Sequence, residues 1–190
     1  MNGSLHQQIV ISGLGGQGVL FVTRLLAEAA MDKGLPVFTA ETHGMAQRGG
    51  TVLSHLKVGA FYSPLIRPGQ ADGLLSLKAE TLAQHGAYLK PGGWTVVNHG
   101  AVPVATAKGC SGIDAESLAR GLGQLRAVNL IVLGYALGLF AGDGHAGLFC
   151  GKEDIDAVIH RHLARRPELL RDALAAVACG FDAATGDLKQ

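Results

Sequence analysis

The chain has 190 residues, of which 48% are hydrophobic and 16% charged, and its net charge is +1. This length suits one domain, residues 1–190, with a sizeable core. Lysines and arginines are dispersed along the chain, which gives no electrostatic case for binding nucleic acid or anionic membranes. The polar N-terminus has no apolar signal core, and the longest uncharged apolar run, 127–141, is shorter than the roughly 20 residues of a membrane span. We therefore expect a cytoplasmic protein that buries part of its apolar surface against a partner.

Strands and helices alternate from the beginning of the chain. A β-branched run predicts a strand at 8–12. Helical spacing of apolar residues predicts a helix that begins at Val19 and ends before Gly34, which suits the C′ position, and a second strand follows at 36–42. A connecting helix of this length implies that the two strands are parallel. Alternating polar and apolar residues predict a half-exposed strand at 51–58. Two further strands are predicted at 73–77 and 94–98. The predicted helices in the rest of the chain are 78–86, 117–125, 129–140, 152–163 and 167–179. The predicted fold is α/β, a Rossmann-like open, mostly parallel sheet flanked by helices, with a helical C-terminal part from about 116.

The loop after the first strand has the spacing G-x-G-x-x-G at Gly13, Gly15 and Gly18. In a dinucleotide site the first glycine permits the tight turn, the second lets a phosphate approach the bare backbone, and the third lets the helix pack closely on the sheet. Such a site also needs a carboxylate about 20 residues further on, and Glu41 lies there. Gly16 and Gln17 fill the middle of the motif. The pattern leaves three alternatives open: a dinucleotide site, a site for another phosphate-bearing ligand, or a turn that only packs helix on sheet.

A second loop, 43–50, carries His43 and Arg48 between glycines at the carboxyl end of the second strand. Ligands of open α/β sheets bind outside the carboxyl ends of strands, so we expect this loop beside the glycine loop. Arg48 either faces a ligand there or forms an ion pair with Glu41 that stiffens the turn.

Residues for bond-breaking chemistry are not evident in the sequence. The three cysteines are isolated from one another, which predicts reduced thiols and no cluster, and the dispersed histidines predict no metal site. The triplet 142–144 resembles the opening of a thiamine diphosphate motif but is followed by no asparagine, so we interpret it as a turn.

The segment 130–140 is apolar on nearly every side, with Gly134 and Gly138 placed where another helix could approach. A helix of this kind is buried, in the core or against a partner. We expect another chain to cover part of the surface formed by this helix and the 43–50 loop.

Two motifs, G-L-G-G-Q-G-V (13–19) and E-T-H-G-M-A-Q-R-G-G (41–50), together resemble the gamma-type subunit of the 2-oxoacid:ferredoxin oxidoreductases. The Glu-Thr-His-Gly form is similar to the indolepyruvate type, whose corresponding chain is called the beta subunit. Further similar stretches are S-H-L-K-V (54–58), S-P-L-I (63–66), L-K-P-G-G-W-T-V-V-N (89–98) and N-L-I-V-L-G-Y-A-L-G (129–138).

The resemblance implies a chain that works inside a larger complex. Thiamine diphosphate and iron–sulfur clusters are then carried by a large catalytic partner subunit, and the complex performs coenzyme A-dependent oxidative decarboxylation of an aryl pyruvate with ferredoxin as the electron acceptor. This chain is then structural or docks coenzyme A, has no catalytic residue, and could self-associate when isolated. The candidate cofactor-binding residues are Gly13, Gly15, Gly16, Gln17, Gly18, Glu41, His43 and Arg48. The alternatives are a free-standing NAD(P)-binding oxidoreductase and a stand-alone interaction scaffold.

Overall fold

The computed structural model describes residues 5–43, 50–99, 109–141 and 147–187. The strands are β1 (Gln7–Leu14), β2 (Val37–His43), β3 (Thr51–Val58), β4 (Ala71–Ser76), β5 (Leu89–Asn98) and β6 (Cys110–Ile113). The helices are α1 (Val19–Asp32), α2 (Ala79–His85), α3 (Ala115–Gly121), α4 (Val128–Leu139), α5 (Lys152–Leu163) and α6 (Pro167–Asp187), with a short 3₁₀ turn at Gly86–Tyr88. Within these residues no helix is long and apolar enough to cross a membrane.

The strands form one six-stranded sheet in the order β2-β3-β1-β4-β5-β6, with helices packed on it, which confirms the predicted α/β class. Strands β1, β4, β5 and β6 are parallel neighbours, whereas β3 is antiparallel to both β1 and β2. Strands β1 and β2 therefore run in the same direction, as predicted, but they do not touch. Strand β3 lies between them, and this insertion decides where the candidate residues on β2 lie.

Strand β3 is buried, and the prediction of a half-exposed strand is wrong. Ser54 is 0%, His55 2% and Lys57 8% exposed. Alternation normally indicates one solvated face, but β3 has a neighbour on each side and packing on both of its faces. His55 and Lys57 lie on the face covered by the segment 59–70, and the ring of Tyr88 contacts His55 edge-on at 5.5 Å between centroids. Ser54 alternates to the other face, where Leu56 and Val58 join the larger apolar cluster.

The two faces of the sheet are covered unequally. The larger apolar cluster joins one face to α1, α4, α5 and α6 and includes Ile9, Ile11, Leu56 and Val58. A much smaller cluster on the other face joins Val10, Leu53, Ile66, Ala71 and Leu74. Among the described residues, this second face is packed only by α2, the 3₁₀ turn and the segment 59–70.

Helix α4 is a core helix, covered by α6 of the same chain. A Cβ on Gly134 would lie 2.1 Å from the carbonyl oxygen of Val177, and one on Gly180 would lie 2.0 Å from that of Ile131. The glycines do allow a close helix approach, as the sequence indicated, but the approaching helix is intramolecular. The expectation that another chain covers this helix is therefore wrong for α4.

Several boundaries differ from the predicted ones. Strand β6 is not predicted, because three small residues and one isoleucine are too few to show a periodicity. Strand β5 begins at Leu89 and runs through the predicted turn 90–93, and α6 continues past Gly180 to Asp187. Helix α3 begins after Asp114, whose carboxylate accepts the backbone N–H of Ser117 at 2.9 Å and caps the helix.

Candidate functional site

The glycine loop leaves β1 with two left-handed residues, Gly16 (φ 89°) and Gly18 (φ 81°). A side chain is strained at either position. Gly13 lies within β1 and is needed for packing instead, since its Cβ would lie 2.9 Å from Cγ2 of Val19 and 3.2 Å from Cβ of Leu77. The tight turn that the sequence assigned to Gly13 is therefore made by Gly16 and Gly18.

Gln17 closes the loop on itself. Its side-chain Oε1 accepts the backbone N–H of Leu14 at 2.7 Å, and its own N–H donates to the Leu14 carbonyl at 3.1 Å. The N–H of Gly15 donates to the carbonyl of Gly50 at 3.0 Å. A phosphate could therefore approach the Cα of Gly15, which has no side chain, but the N–H of Gly15 is already hydrogen-bonded. The predicted close approach of a phosphate to the backbone at Gly15 would thus lack this hydrogen bond.

Gly18 brings the N-termini of α1 and α4 together. A Cβ there would lie 2.2 Å from Nδ2 of Asn129, the second residue of α4. The glycine allows helix to pack on helix, not helix on sheet as predicted. Asn129 is itself buried, and its Oδ1 accepts the N–H of Leu130 at 3.0 Å.

A cleft of about 640 Å³ opens beside these two helix ends. Its lining is Gly16, Gln17, Glu116, Arg120, Leu125, Arg126 and Val128. The residue before α1, Gly18, and the residue before α4, Ala127, provide no side-chain cap, in contrast to Asp114 before α3. Apart from the Leu130 N–H, which Asn129 accepts, the N–H groups of these first turns are left for other acceptors. Two uncapped helix N-termini and two exposed arginines favour an oxyanion.

One carboxylate also lines this cleft, and a lysine partly neutralises it. Lys78, two residues after the end of β4, donates a hydrogen bond to Glu116 at 3.1 Å. This hydrogen bond, against the opposing effect of burial, raises the pKa of Lys78. The pair has no net charge, so Glu116 opposes an anion less than its position suggests.

Glu41 does not line this cleft. It lies opposite Ser54 of β3, which in turn lies opposite Ile11 of β1. Two strand spacings, about 10 Å, thus separate Glu41 from β1. Its side chain borders a separate cavity of about 310 Å³ between β2 and α1, together with Arg24 and Glu28. The inserted strand β3 removes the geometry that a dinucleotide ribose contact would need.

The second loop begins and ends at the same sheet edge as the glycine loop. His43 lies opposite Val52, which lies opposite Gly13, and Gly50 bonds to Gly15 as above. The side chain of His43 and residues 44–49, with Arg48, lie outside the described residues. Their contact with a ligand stays a prediction.

Sequence reasoning missed Lys78, Glu116, Arg120 and Arg126. They are far from residues 13–18 in the chain, and no motif connects them. The N-cap signal at Asp114 locates the start of α3 but not the cleft that α3 borders.

No group of three or more His, Cys, Asp or Glu residues that could hold a metal occurs in the described part of the chain. Cys110, Cys150 and Cys179 are free thiols. Burial raises the pKa of Cys150 to about 12, so this thiol is a poor nucleophile at neutral pH.

Comparisons with a family model and with individual relatives indicate the same protein family. The model of the family described as pyruvate ferredoxin/flavodoxin oxidoreductase matches residues 8–183. Indolepyruvate oxidoreductase subunit IorB of Archaeoglobus fulgidus is 32% identical over 158 residues, covering 72% of this chain and 79% of that protein. The same subunit of Thermococcus kodakarensis is 32% identical over 149 residues, covering 66% and 74%.

Solved structures share the fold. The gamma subunit of a keto/oxoacid ferredoxin oxidoreductase from Geobacter sulfurreducens superposes with a TM-score of 0.70 at 25% identity, covering 95% of this chain and 99% of that one. A 2-oxoglutarate:ferredoxin oxidoreductase from Magnetococcus marinus, solved with 2-oxoglutarate, coenzyme A and succinyl-CoA bound, superposes at 0.78 with 21% identity, over 95% of this chain and 31% of that one. The chain thus belongs to the pyruvate ferredoxin/flavodoxin oxidoreductase family, as a subunit of the 2-oxoacid:ferredoxin oxidoreductase type.

Proposed function

We propose that this chain is the small, non-catalytic subunit of an aryl-pyruvate (indolepyruvate) ferredoxin oxidoreductase and that it docks the phosphates of coenzyme A. The observation that carries the docking proposal is the cleft beside Gly16, where two uncapped helix N-termini meet Arg120 and Arg126. Coenzyme A carries phosphates on a nucleotide, which is the chemistry such a cleft recognises. The Magnetococcus marinus relative of the fold, solved with coenzyme A, supports a coenzyme of this kind in the assembly.

Each residue of the cleft has a defined task in this proposal. Backbone N–H groups at the start of α1 and α4 donate hydrogen bonds to the anion, and the two arginines neutralise its charge. Gln17 holds the loop closed so that these donors do not have to reorganise on binding. Lys78 offsets the charge of Glu116, which lines the cleft. Thiamine diphosphate and iron–sulfur clusters on the partner subunit would supply decarboxylation and electron transfer.

Kinetics of the complete complex test the docking. The chain is co-expressed with its large partner, and dye or ferredoxin reduction is measured while coenzyme A is varied. In Arg126→Ala we expect KM for coenzyme A to rise about 10-fold or more with kcat preserved, because a charge-assisted contact to the ground state is lost. Light scattering of the variant complex separates this effect from failed assembly.

Arg171→Ala is the matched control, since Arg171 is an arginine of α6 whose side chain is 77% exposed and lies outside the cleft. It should leave KM unchanged. An unchanged KM for coenzyme A in Arg126→Ala would refute the proposal that coenzyme A binds in this cleft.

The NAD(P) alternative makes a different prediction. It requires Glu41 near the glycine loop, and the inserted β3 argues against that arrangement. Calorimetric titration of the isolated chain with NADH is the check. Tight binding that is lost in Glu41→Ala would replace the subunit proposal with a free-standing enzyme.

The aryl-pyruvate part of the proposal is supported by the indolepyruvate relatives at 32% identity. With the complex in hand, kcat/KM is compared for indolepyruvate, phenylpyruvate, pyruvate and 2-oxoglutarate. We expect the aryl substrates to be preferred at least about 100-fold, because an aromatic ring buries far more apolar area than a methyl group. Preference for pyruvate would overturn the substrate assignment while leaving the family intact.

A further inference from the structure

A second cationic site lies at the other end of the sheet from the glycine loop. Lys57, near the end of β3, lies opposite Gln8 at the start of β1, so both side chains are on the sparsely covered face. Lys57 is only 8% exposed. Its Nζ lies 5.0 Å from the ring centroid of Phe61. Among the described residues no carboxylate pairs with it, and the charged group that acts on it is another cation, Arg67.

The side chain of Lys57 is enclosed by packing while its ammonium group lines an open cavity, and the ring of Phe61 is its only favourable partner among the described residues. Proteins normally pair a partly desolvated charge of this kind with a carboxylate. Burial first, and then the nearby Arg67, lower the pKa of Lys57. A cavity of about 470 Å³ opens over it, here called the Lys57 pocket. Its lining includes Gln8, Lys57, Tyr62, Ser63, Leu65 and Arg67. The pocket therefore combines two cations, amide and hydroxyl groups, and an opening to the outside.

The rim of the Lys57 pocket is apolar and exposed. Tyr62 is fully solvent-accessible (102%) and Leu65 is 53% exposed. Phe38, 40% exposed, lies on the edge strand β2 directly opposite Lys57. Exposed aromatic and aliphatic side chains around a desolvated charge are typical of the centre of a protein–protein interface, whereas a site for a small free anion does not need them.

We infer that the Lys57 pocket receives an aspartate or glutamate side chain of the large partner subunit, flanked by apolar residues that cover Tyr62, Leu65 and Phe38. The choice of partner rests on the proposed function. The charge complementarity rests on this chain alone: the lining of the pocket holds two cations and no carboxylate. The nearby carboxylate of Asp72 is taken by the N–H of Gln8 and by Lys90. The contact would complete the cover of the second sheet face and compensate the buried Lys57 charge.

The test measures the effect of a Lys57 substitution on two quantities: the Tm of the isolated chain and the Kd for the partner subunit. Lys57→Met keeps the length of the side chain and removes the charge. In the isolated chain it should leave Tm unchanged or raise it, because no ion pair within the chain is lost. In binding to the purified partner it should raise Kd at least about 30-fold, because the partner's carboxylate is then buried unpaired. Lys152→Met is the matched control, since Lys152 is paired with Asp156 on α5, and it should bind like the wild type.

A second variant keeps the inference testable if Lys57→Met does not fold. Tyr62→Ser changes a side chain that is fully exposed and so leaves the fold intact. It should raise Kd about 10-fold or more. Placing the photo-crosslinker p-benzoylphenylalanine at position 62 of the purified complex should attach the large subunit at a peptide containing Asp or Glu.

Each other outcome is decisive. If the wild-type chain forms no complex with the thiamine-bearing subunit, the proposed function itself fails. If the wild-type complex forms and both variants bind with wild-type Kd, the inference fails and the proposed function stands. A third outcome is that phosphate or acetate raises the Tm of the isolated wild-type chain but not of Lys57→Met, while both chains bind the partner equally well. That result would overturn the inference in favour of a site for a free anion. Loss of a homodimer alone in Lys57→Met would overturn it in favour of self-association.

Discussion

Glu28 connects α1 to α5 through basic side chains. Its carboxylate accepts hydrogen bonds from Arg24 at 2.8 Å, Arg161 at 3.1 Å and His162 at 2.7 Å, and Arg161 also reaches Asp32 at 2.9 Å. Partial burial opposes ionisation, but the hydrogen bonds from the three basic groups outweigh it and hold the pKa of Glu28 at about 2. This carboxylate is therefore a local source of stability whose size depends on pH.

Because the pKa of Glu28 is lowered on folding, its contribution is present above the unfolded value of 4.5 and is lost as pH falls towards about 2. We expect the free energy of unfolding to fall between pH 6 and pH 2.5 by about 1–2 kcal/mol more in the wild type than in Glu28→Gln. Urea unfolding at the two pH values measures the difference. Glu168→Gln, on an exposed side chain of α6, should follow the wild type. Parallel pH curves for the wild type and Glu28→Gln would contradict the assignment.

At the scale of secondary-structure elements, α4 and α6 are a closely packed pair of helices. Gly134 and Gly138 on α4 and Gly180 on α6 remove the side chains between the helices, and the backbone carbonyls of Ile131, Val177 and Phe181 fill the space. Such close packing tolerates little added volume. Gly186, also on α6, has no atom within 4 Å of its Cβ position.

Two alanine substitutions on α6 separate packing from helix propensity. Gly180→Ala should destabilise the chain by about 2–3 kcal/mol, because its Cβ would lie 2.0 Å from a carbonyl oxygen and the helices must separate. Gly186→Ala should be neutral or stabilising by up to about 1 kcal/mol, since alanine favours a helix and the position is open. Denaturant midpoints at constant m-value measure both. Equal effects of the two substitutions would contradict the close-packing interpretation.

At the scale of the whole molecule, two different surfaces lie at opposite ends of the sheet. The cleft beside Gly16 is polar and is lined by helix N-termini, whereas the Lys57 pocket is cationic with an apolar rim. In the two proposals made above, the first surface docks a phosphate-bearing coenzyme and the second contacts the catalytic partner.

Activity measurements on separated subunits test this arrangement. The isolated chain should be colourless and inert towards indolepyruvate with coenzyme A and a dye, and addition of the large partner should restore coenzyme A-dependent dye reduction. The physical reason is that the groups that decarboxylate and transfer electrons are proposed to belong to the partner. Assays of each chain alone and of the mixture, at equal partner concentration, provide the comparison. Full activity of the partner without this chain would refute the subunit proposal.

Much of the fold follows from local sequence patterns. The β-branched run at 9–11, the helical spacing after Val19 and the proline at 167 predict β1, α1 and α6 because each depends on residues close together in the chain. The family was likewise indicated by contiguous motifs around 13–19 and 41–50, and the comparisons confirmed it. Glycines at 134 and 138 correctly indicated a close helix approach.

Other features of the protein depend on contacts between segments that are distant in the chain, and only the tertiary structure determines them. Pairing of β3 between β1 and β2 carried Glu41 away from the glycine loop, and alternation in β3 did not indicate exposure because strands and packing enclose it on every side. Arg120 on α3 and Arg126 before α4 line the cleft only in the folded chain, where Gly18 lets the N-termini of α1 and α4 approach each other. Lys57 looks like a solvated strand residue in the sequence, and it is the packing of the segment 59–70 that buries it without a counter-ion. Local patterns determine which elements form, but burial and charge pairing are sums over neighbours that only the folded chain brings together.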